Sequence, residues 1–79
     1  MEDMHSIPRA IVEAIEAGIP ATKAFRIYSD KSIPEVAELA QLEPRRLCLI
    51  EAGLRPTRSE AVAIGRALDI PSRLVAPAL

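Results

Sequence analysis

Four arginines close together along the chain are the side chains best suited to do chemistry. They lie within residues 42–58, a segment with only two carboxylates, and are Arg45, Arg46, Arg55 and Arg58. A guanidinium group can donate parallel hydrogen bonds to a phosphate, or to O6 and N7 of guanine. The cluster therefore suits contact with a nucleic acid, although the solvated side of an ordinary helical domain would also carry arginines.

The distribution of charge favours a local rather than a general attraction to polyanions. The formal net charge of the chain is −1. Residues 1–22 have one arginine against four carboxylates, whereas residues 44–66 have five arginines against two glutamates. A basic surface on a nearly neutral domain can still neutralise several phosphates.

Catalytic and metal chemistry find little support in the composition. The chain has one histidine, His5, and one cysteine, Cys48. One of each is too few for a metal-ligand cluster, and there is neither a catalytic set nor a glycine-rich phosphate loop. We therefore predict no enzyme, no cofactor and no metal site. The lone cysteine and the lack of a stretch of ~20 apolar residues predict a cytoplasmic domain with no membrane contact.

The elements that position the arginines are predicted to be helices. Prolines recur along the chain, four of them in the dipeptide Ile-Pro, and a proline suits the first turn of a helix but not its middle. Apolar residues between the prolines recur at helical spacing. The sequence predicts one all-α domain, 1–79, with a flexible N-terminus (1–6) and a five-helix bundle. The predicted helices are 7–17, 20–29, 33–40, 44–52 and 58–68.

Each predicted helix has an apolar face for the core. The faces comprise Ile7, Ile11, Val12 and Ile15; Ala21, Ala24, Phe25 and Tyr28; Ile33, Val36, Ala37 and Ala40; Leu47 and Ile50; and Ala61, Ile64, Gly65 and Leu68. Ser32 and Thr57 each precede a glutamate by three residues and so predict capping boxes. The apolar tail, 70–79, adds a short turn and is a candidate dimer contact; packing within the chain or on a partner protein are the alternatives.

Helix 44–52 is predicted to turn Arg45 outward. Only three residues separate it from helix 33–40, which favours the sharp crossing of a helix-turn-helix over residues 33–52. With Leu47 and Ile50 placed inward at about 100° per residue, Arg45 and Leu49 point outward. Base-reading side chains of such motifs project from the start of the second helix, where Arg45 stands.

Residues 23–70 resemble the Cro/repressor-type helix-turn-helix domain of the xenobiotic-response-element family. The matching residues are Ala24-Phe25-Arg26, Ala37-Glu38-Leu39-Ala40, Leu42, Leu47, Ile50-Glu51-x-Gly53 and Ile64-x-x-Ala67-Leu68. The preceding segment, 8–26, is similar to the lead-in of HigA-like antitoxins and their stand-alone relatives.

The resemblance implies a repressor that binds a palindromic operator in double-stranded DNA as a homodimer, through the major groove. It implies that Arg45 reads a base and that Pro44 and Leu49 occupy base-contact positions. The positions that it matches to phosphate contacts are Ser32, Ile33, Arg55 and Arg58, and we expect Arg46 to contact a phosphate as well. It also implies a structural ion pair between Arg26 and Glu51.

Several departures from the family pattern keep a second interpretation open. Gln41 replaces the usual turn glycine, where a left-handed backbone would be strained. Ile33 replaces a phosphate-binding glutamine, and Pro44 and Leu49 replace polar side chains. The alternative is a protein-interaction module with the same fold, whose partner is a toxin, an RNA-polymerase component or another regulator.

Overall fold

The structure, a computed structural model, describes residues 7–76 as six α-helices joined by short loops, with no strand in that range. The helices are α1 (Arg9–Glu16), α2 (Ala21–Tyr28), α3 (Ile33–Ala40), α4 (Pro44–Glu51), α5 (Arg58–Leu68) and α6 (Ser72–Val75). The predicted all-α class is confirmed, and α6 is a sixth helix where a short turn was expected. Residues 1–6 and 77–79, which belong to the predicted flexible N-terminus and apolar tail, lie outside the described residues. None of the helices within 7–76 combines the length and the apolar character needed to cross a bilayer.

Prolines and capping boxes set where the helices begin. Pro8, Pro20 and Pro71 directly precede α1, α2 and α6, whereas Pro34 and Pro44 lie in the first turns of α3 and α4. A ring in the first turn removes no intrahelical hydrogen bond, so each helix can begin there without loss.

The two predicted capping boxes are present. The Ser32 hydroxyl accepts from the backbone N–H of Glu35 at 3.2 Å, and the Glu35 carboxylate accepts from the N–H of Ser32 at 2.7 Å. Thr57 and Glu60 make the equivalent contacts at 3.1 and 2.8 Å before α5. These bonds use backbone donors that the start of a helix otherwise leaves unpaired.

The core lies where α5 packs against α3, and α4 joins it through its contacts with α3. Val36, Leu47 and Ile64 are completely buried, one from each of these helices. The predicted inner faces of α4 and α5 are confirmed, since Leu47, Ile50 and all four residues assigned on α5 are buried. The inner face of α4 is therefore held against the core by apolar contacts.

The predicted inner faces of α1 and α2 were too wide. Ile11 is buried, but Val12 and Ile15 are each 39% exposed, and Tyr28 at the end of α2 is 58% exposed. α1 lies at the edge of the bundle with α2 as its main neighbour, so only a narrow stripe of its surface is covered. Tyr28, the last residue of α2, is likewise left largely outside the core.

The described part of the apolar tail packs on its own chain. Leu74 and Val75 are half-buried against the core, and Ala76 is buried. Gly65 on α5 allows this close approach, because a Cβ there would lie 2.7 Å from the carbonyl oxygen of Ile70. The described part of the tail thus packs within the chain, and its role as a dimer contact stays a prediction.

Candidate nucleic-acid interface

α4 presents Arg45 from its first turn. Pro44 is the first residue of the helix, and Glu43 is its N-cap without a side-chain capping bond. Arg45 is exposed, and among residues 7–76 the structure pairs it with no carboxylate. Leu47 and Ile50 anchor the opposite side of the helix. The cation is thus carried on a supported element and remains available to an external anion.

The outer face of α4 continues from Arg45 along the helix. Cys48 and Leu49, three and four residues further on, are both exposed, and Leu49 keeps 47% of its surface accessible. Side chains at this spacing are neighbours on a helix surface. The outer face therefore combines one cation with a thiol and an apolar side chain.

The loop after α4 carries Arg55 and leads to Arg58. Both arginines are exposed, and neither makes an ion pair with a carboxylate in the described range. Gly53 takes φ 117°, a value that side-chain-bearing residues rarely adopt, and Pro56 is buried. A glycine turn and a buried proline thus hold this loop against the bundle and keep Arg55 at its surface.

Arg46 makes an ion pair that sequence reasoning did not identify. Its Nε and Nη2 donate to the two carboxylate oxygens of Glu60, each at 2.7 Å. The hydrogen bonds from Arg46 are the main cause that lowers the pKa of Glu60 to about 2. Arg46 thus ties α4 to the start of α5, and its guanidinium has a partner within the chain, where a phosphate contact was expected.

The ion pair that the resemblance implied between Arg26 and Glu51 is present. Nε and Nη2 of Arg26 donate to the carboxylate of Glu51 at 2.7 and 3.0 Å, and Nη1 donates to the carbonyl oxygen of Lys31 at 2.9 Å. The two side chains are 13% and 6% exposed. The hydrogen bond to Glu51 raises the pKa of Arg26 above its ordinary value. This pair fastens the end of α4 to α2, so both ends of α4 are held by bidentate contacts.

Three remaining candidate residues surround the start of α3 and α4. Ser32 is exposed, but its hydroxyl and N–H are used in the cap of α3. Ile33 is half-buried and packs against the core. Pro44 is exposed on the outer surface beside Arg45. Ser32 and Ile33 therefore have structural contacts, whereas Pro44 remains part of the exposed surface of α4.

The connection between α3 and α4 contains the strained residue foreseen from the sequence. Gln41 has φ 57° and ψ 43°, the left-handed region, and directly follows α3. The N–H of the next residue, Leu42, donates to the carbonyl oxygen of Ala37 at 2.8 Å. The chain thus makes the tight turn with glutamine where glycine would be unstrained.

An open apolar groove of about 930 Å³ lies between the end of α1, the loop after α4 and α6; it is called the α1–α6 groove below. Its walls include Ile15 and Ile19, then Leu54, and then Leu74 and Val75. Of the described residues that line it, Arg55 and Arg73 are the charged ones. No local sequence pattern marks this groove, because its walls come from three distant segments.

Comparison with known proteins gave no match to a family model, to a curated protein or to a solved structure.

Proposed function

We propose that the protein is a sequence-specific DNA-binding regulator, a repressor, that acts as a homodimer on a palindromic operator. In this proposal α3 and α4 are the two helices of a helix-turn-helix, and α4 enters the major groove. Arg45 donates to a guanine edge, while Arg55 and Arg58 donate to phosphates on either side. Arg46 is assigned to the ion pair with Glu60 and not to DNA.

The observation that carries the proposal is the contrast among the arginines near α4. Arg26 and Arg46 are consumed by carboxylates that fasten α4, whereas Arg45, Arg55 and Arg58 are exposed without an ion pair to residues 7–76. Because these ion pairs already fix α4 to the bundle, less conformational entropy is lost when its exposed side chains bind a ligand. A fixed helix with exposed arginines on and beside it suits recognition of a DNA groove, and this combination supports the proposal.

The test separates base reading from phosphate contact. An operator is first selected from a random pool of duplexes, and binding of Arg45→Ala and Arg55→Ala is then measured on it and on single-base variants. We expect Arg45→Ala to lose about 1–3 kcal/mol on the operator and to relax the preference at one base pair. Arg55→Ala should weaken all duplexes by a similar factor, because a phosphate carries no base identity.

Arg66→Ala is the matched control, because Arg66 is exposed on α5, lies beside residues 69–72 and is not assigned to DNA. It should leave both affinity and preference unchanged. Equal losses on the operator and on random DNA for Arg45→Ala would exclude the base-reading role of Arg45.

A second candidate function is protein binding by the same surface. It is favoured by two exposed leucines, since Leu39 on α3 and Leu49 on α4 are 59% and 47% accessible. A toxin or another regulator with an apolar patch would bury them.

The dependence of affinity on salt distinguishes the two candidates. Two phosphate-contacting arginines in each chain, four in a DNA-bound dimer, give a slope of about −3.6 in the logarithm of the affinity against the logarithm of the salt concentration. No shift of any duplex at low salt would exclude DNA binding and leave the protein-interaction module.

A further inference from the structure

The described residues that line the α1–α6 groove carry positive charge and no negative charge. Among residues 7–76, its lining is apolar apart from Thr22 and the two arginines, and no carboxylate of that range contributes to it. Arg55 and Arg73 are both exposed, so their charges lie at the rim. The groove therefore favours an occupant with an apolar surface bordered by carboxylates.

The exposed flank of α1 has that composition. Val12 and Ile15, one turn apart, are each 39% exposed, and Ile19 just beyond the helix is 38% exposed. Glu13 and Glu16 are exposed on the same eight-residue helix. At about 100° per residue, Glu16 stands next to Val12 and borders the apolar flank on the side away from the core.

We propose that a second copy of this chain covers the α1–α6 groove, with the acidic border of α1 in each copy facing Arg73 of the other. A two-fold axis brings the same surface of both copies together, so a patch with an acidic border and a basic border is complementary to itself. In this arrangement the apolar flank of α1, with Ile19 and Leu54, is removed from water in both copies. The exposed apolar area and the charges on its two borders are then matched by one partner.

The proposal deepens the proposed function, from which it takes the homodimer, and adds the surface that joins the two chains. It uses Arg73 and Glu16, neither of which is assigned to DNA. The interface can therefore be tested by mass alone, in the absence of any duplex, and its failure would leave the DNA-binding assignment of Arg45 untouched.

The test is a pair of charge reversals, Glu16→Arg and Arg73→Glu, with the particle mass measured by sedimentation equilibrium under reducing conditions. The wild-type chain should have twice the monomer mass of 8.6 kDa. Each variant alone places like charges at both reciprocal contacts and should shift to the monomer mass. An equimolar mixture of the two variants should recover a dimer of one chain of each. At one contact the two substituted positions form a reversed arginine–glutamate pair, and at the other contact the native pair of Glu16 and Arg73 remains.

Arg66→Glu is the control, since it reverses an exposed arginine that does not line the groove; it should stay dimeric. Both single variants change exposed side chains, and recovery in the mixture itself requires that each be folded. A monomer mass for the wild-type chain at about 1 mM, the weak limit of specific association, would overturn the proposal. So would two variants that remain dimeric alone, or a mixture that stays monomeric.

Discussion

Gln41 ends α3 in the left-handed backbone region, with φ 57° and ψ 43°. This conformation costs a residue with a Cβ atom about 1–2 kcal/mol. Glycine avoids that cost, but part of the gain is offset because glycine gives the unfolded chain more conformational freedom. We expect Gln41→Gly to raise the free energy of unfolding by about 0.5–1 kcal/mol, measured by urea denaturation.

Gln41→Ala is the comparison, because it keeps Cβ while removing the exposed side chain. It should remain within about 0.5 kcal/mol of the wild-type protein. A Gln41→Gly protein no more stable than the Gln41→Ala protein would contradict the account of backbone strain.

Gly65 lies within α5, and its replacement by alanine should destabilise the protein although alanine has the higher helix propensity. Alanine favours a helix interior over glycine, yet a Cβ at 65 would meet the Ile70 carbonyl oxygen at 2.7 Å and the Ser72 nitrogen at 3.3 Å. Both contacts are backbone, so relief requires α6 to move. We expect Gly65→Ala to lower the free energy of unfolding by about 1–3 kcal/mol.

Arg66→Ala is again a useful reference for Gly65→Ala, because the neighbouring side chain is exposed and its removal should change stability by less than about 0.5 kcal/mol. If Gly65→Ala proved more stable than the wild-type protein, α6 could not be packed as closely on α5 as described.

At this scale, what could be predicted depended on whether a residue acts through its neighbours in sequence. The caps at Ser32 and Thr57 follow from spacing alone, because both partners lie within one turn. The inward direction of Leu47 and Ile50 follows from helical period. The pair between Arg46 and Glu60 spans 14 residues and depends on how α5 lies beside α4, which no local pattern encodes.

Among the elements, α4 and α5 are coupled by the ion pair between Arg46 and Glu60. The pKa of Glu60, lowered from 4.5 to about 2, makes this coupling sensitive to acid. A carboxyl whose pKa is depressed by folding stabilises the protein above its ordinary pKa, and the contribution is lost as the pH falls towards the folded value. The stabilisation should therefore be complete above about pH 5 and fade between 4.5 and 2.

Glu60→Gln isolates this contribution, since glutamine can still complete the capping box with Thr57. We expect the melting temperature of the wild-type protein to exceed that of the variant by several degrees at neutral pH and the two to converge near pH 2. Glu38→Gln removes an exposed carboxylate on α3 and should show no such convergence. A difference between wild type and Glu60→Gln that is independent of pH would contradict the electrostatic origin.

The elements themselves were the part of the fold most open to sequence reasoning. α3 and α5 have the predicted limits, 33–40 and 58–68, because a capping box starts each of them. α6 has four residues, too few for a periodic pattern, and was expected only as a turn. The wide faces predicted for α1 and α2 were wrong because periodicity marks which residues share a side, not how much of that side a neighbour covers.

For the whole molecule, the proposed dimer predicts that thermal stability depends on concentration. Association of folded chains favours the folded state by mass action. We expect the melting temperature of the wild-type protein to rise by about 3–5 °C for each tenfold increase in concentration. Arg73→Glu should melt at a temperature that does not change with concentration, and Arg66→Glu should follow the wild-type protein.

In the candidate site, too, features placed by a single helix could be predicted from the sequence, whereas features built from distant segments could not. The exposed arginine at the start of α4 could be foreseen, because one helix places it. The α1–α6 groove could not, because Ile15, Leu54 and Val75 meet only after three separate segments have packed. A surface built from distant segments is a property of the assembled bundle.

The shortness of the helices has a consequence for how the molecule opens. α1 to α4 each contain eight residues, and isolated helices below about 12–15 residues do not persist in water. Each of them therefore owes its hydrogen bonds to its neighbours, and none can survive as a folded remnant once the core is lost. Amide protons in α3, α4 and α5 should accordingly exchange with solvent through a single global opening, while α6, with four residues at the edge, can fray before the rest.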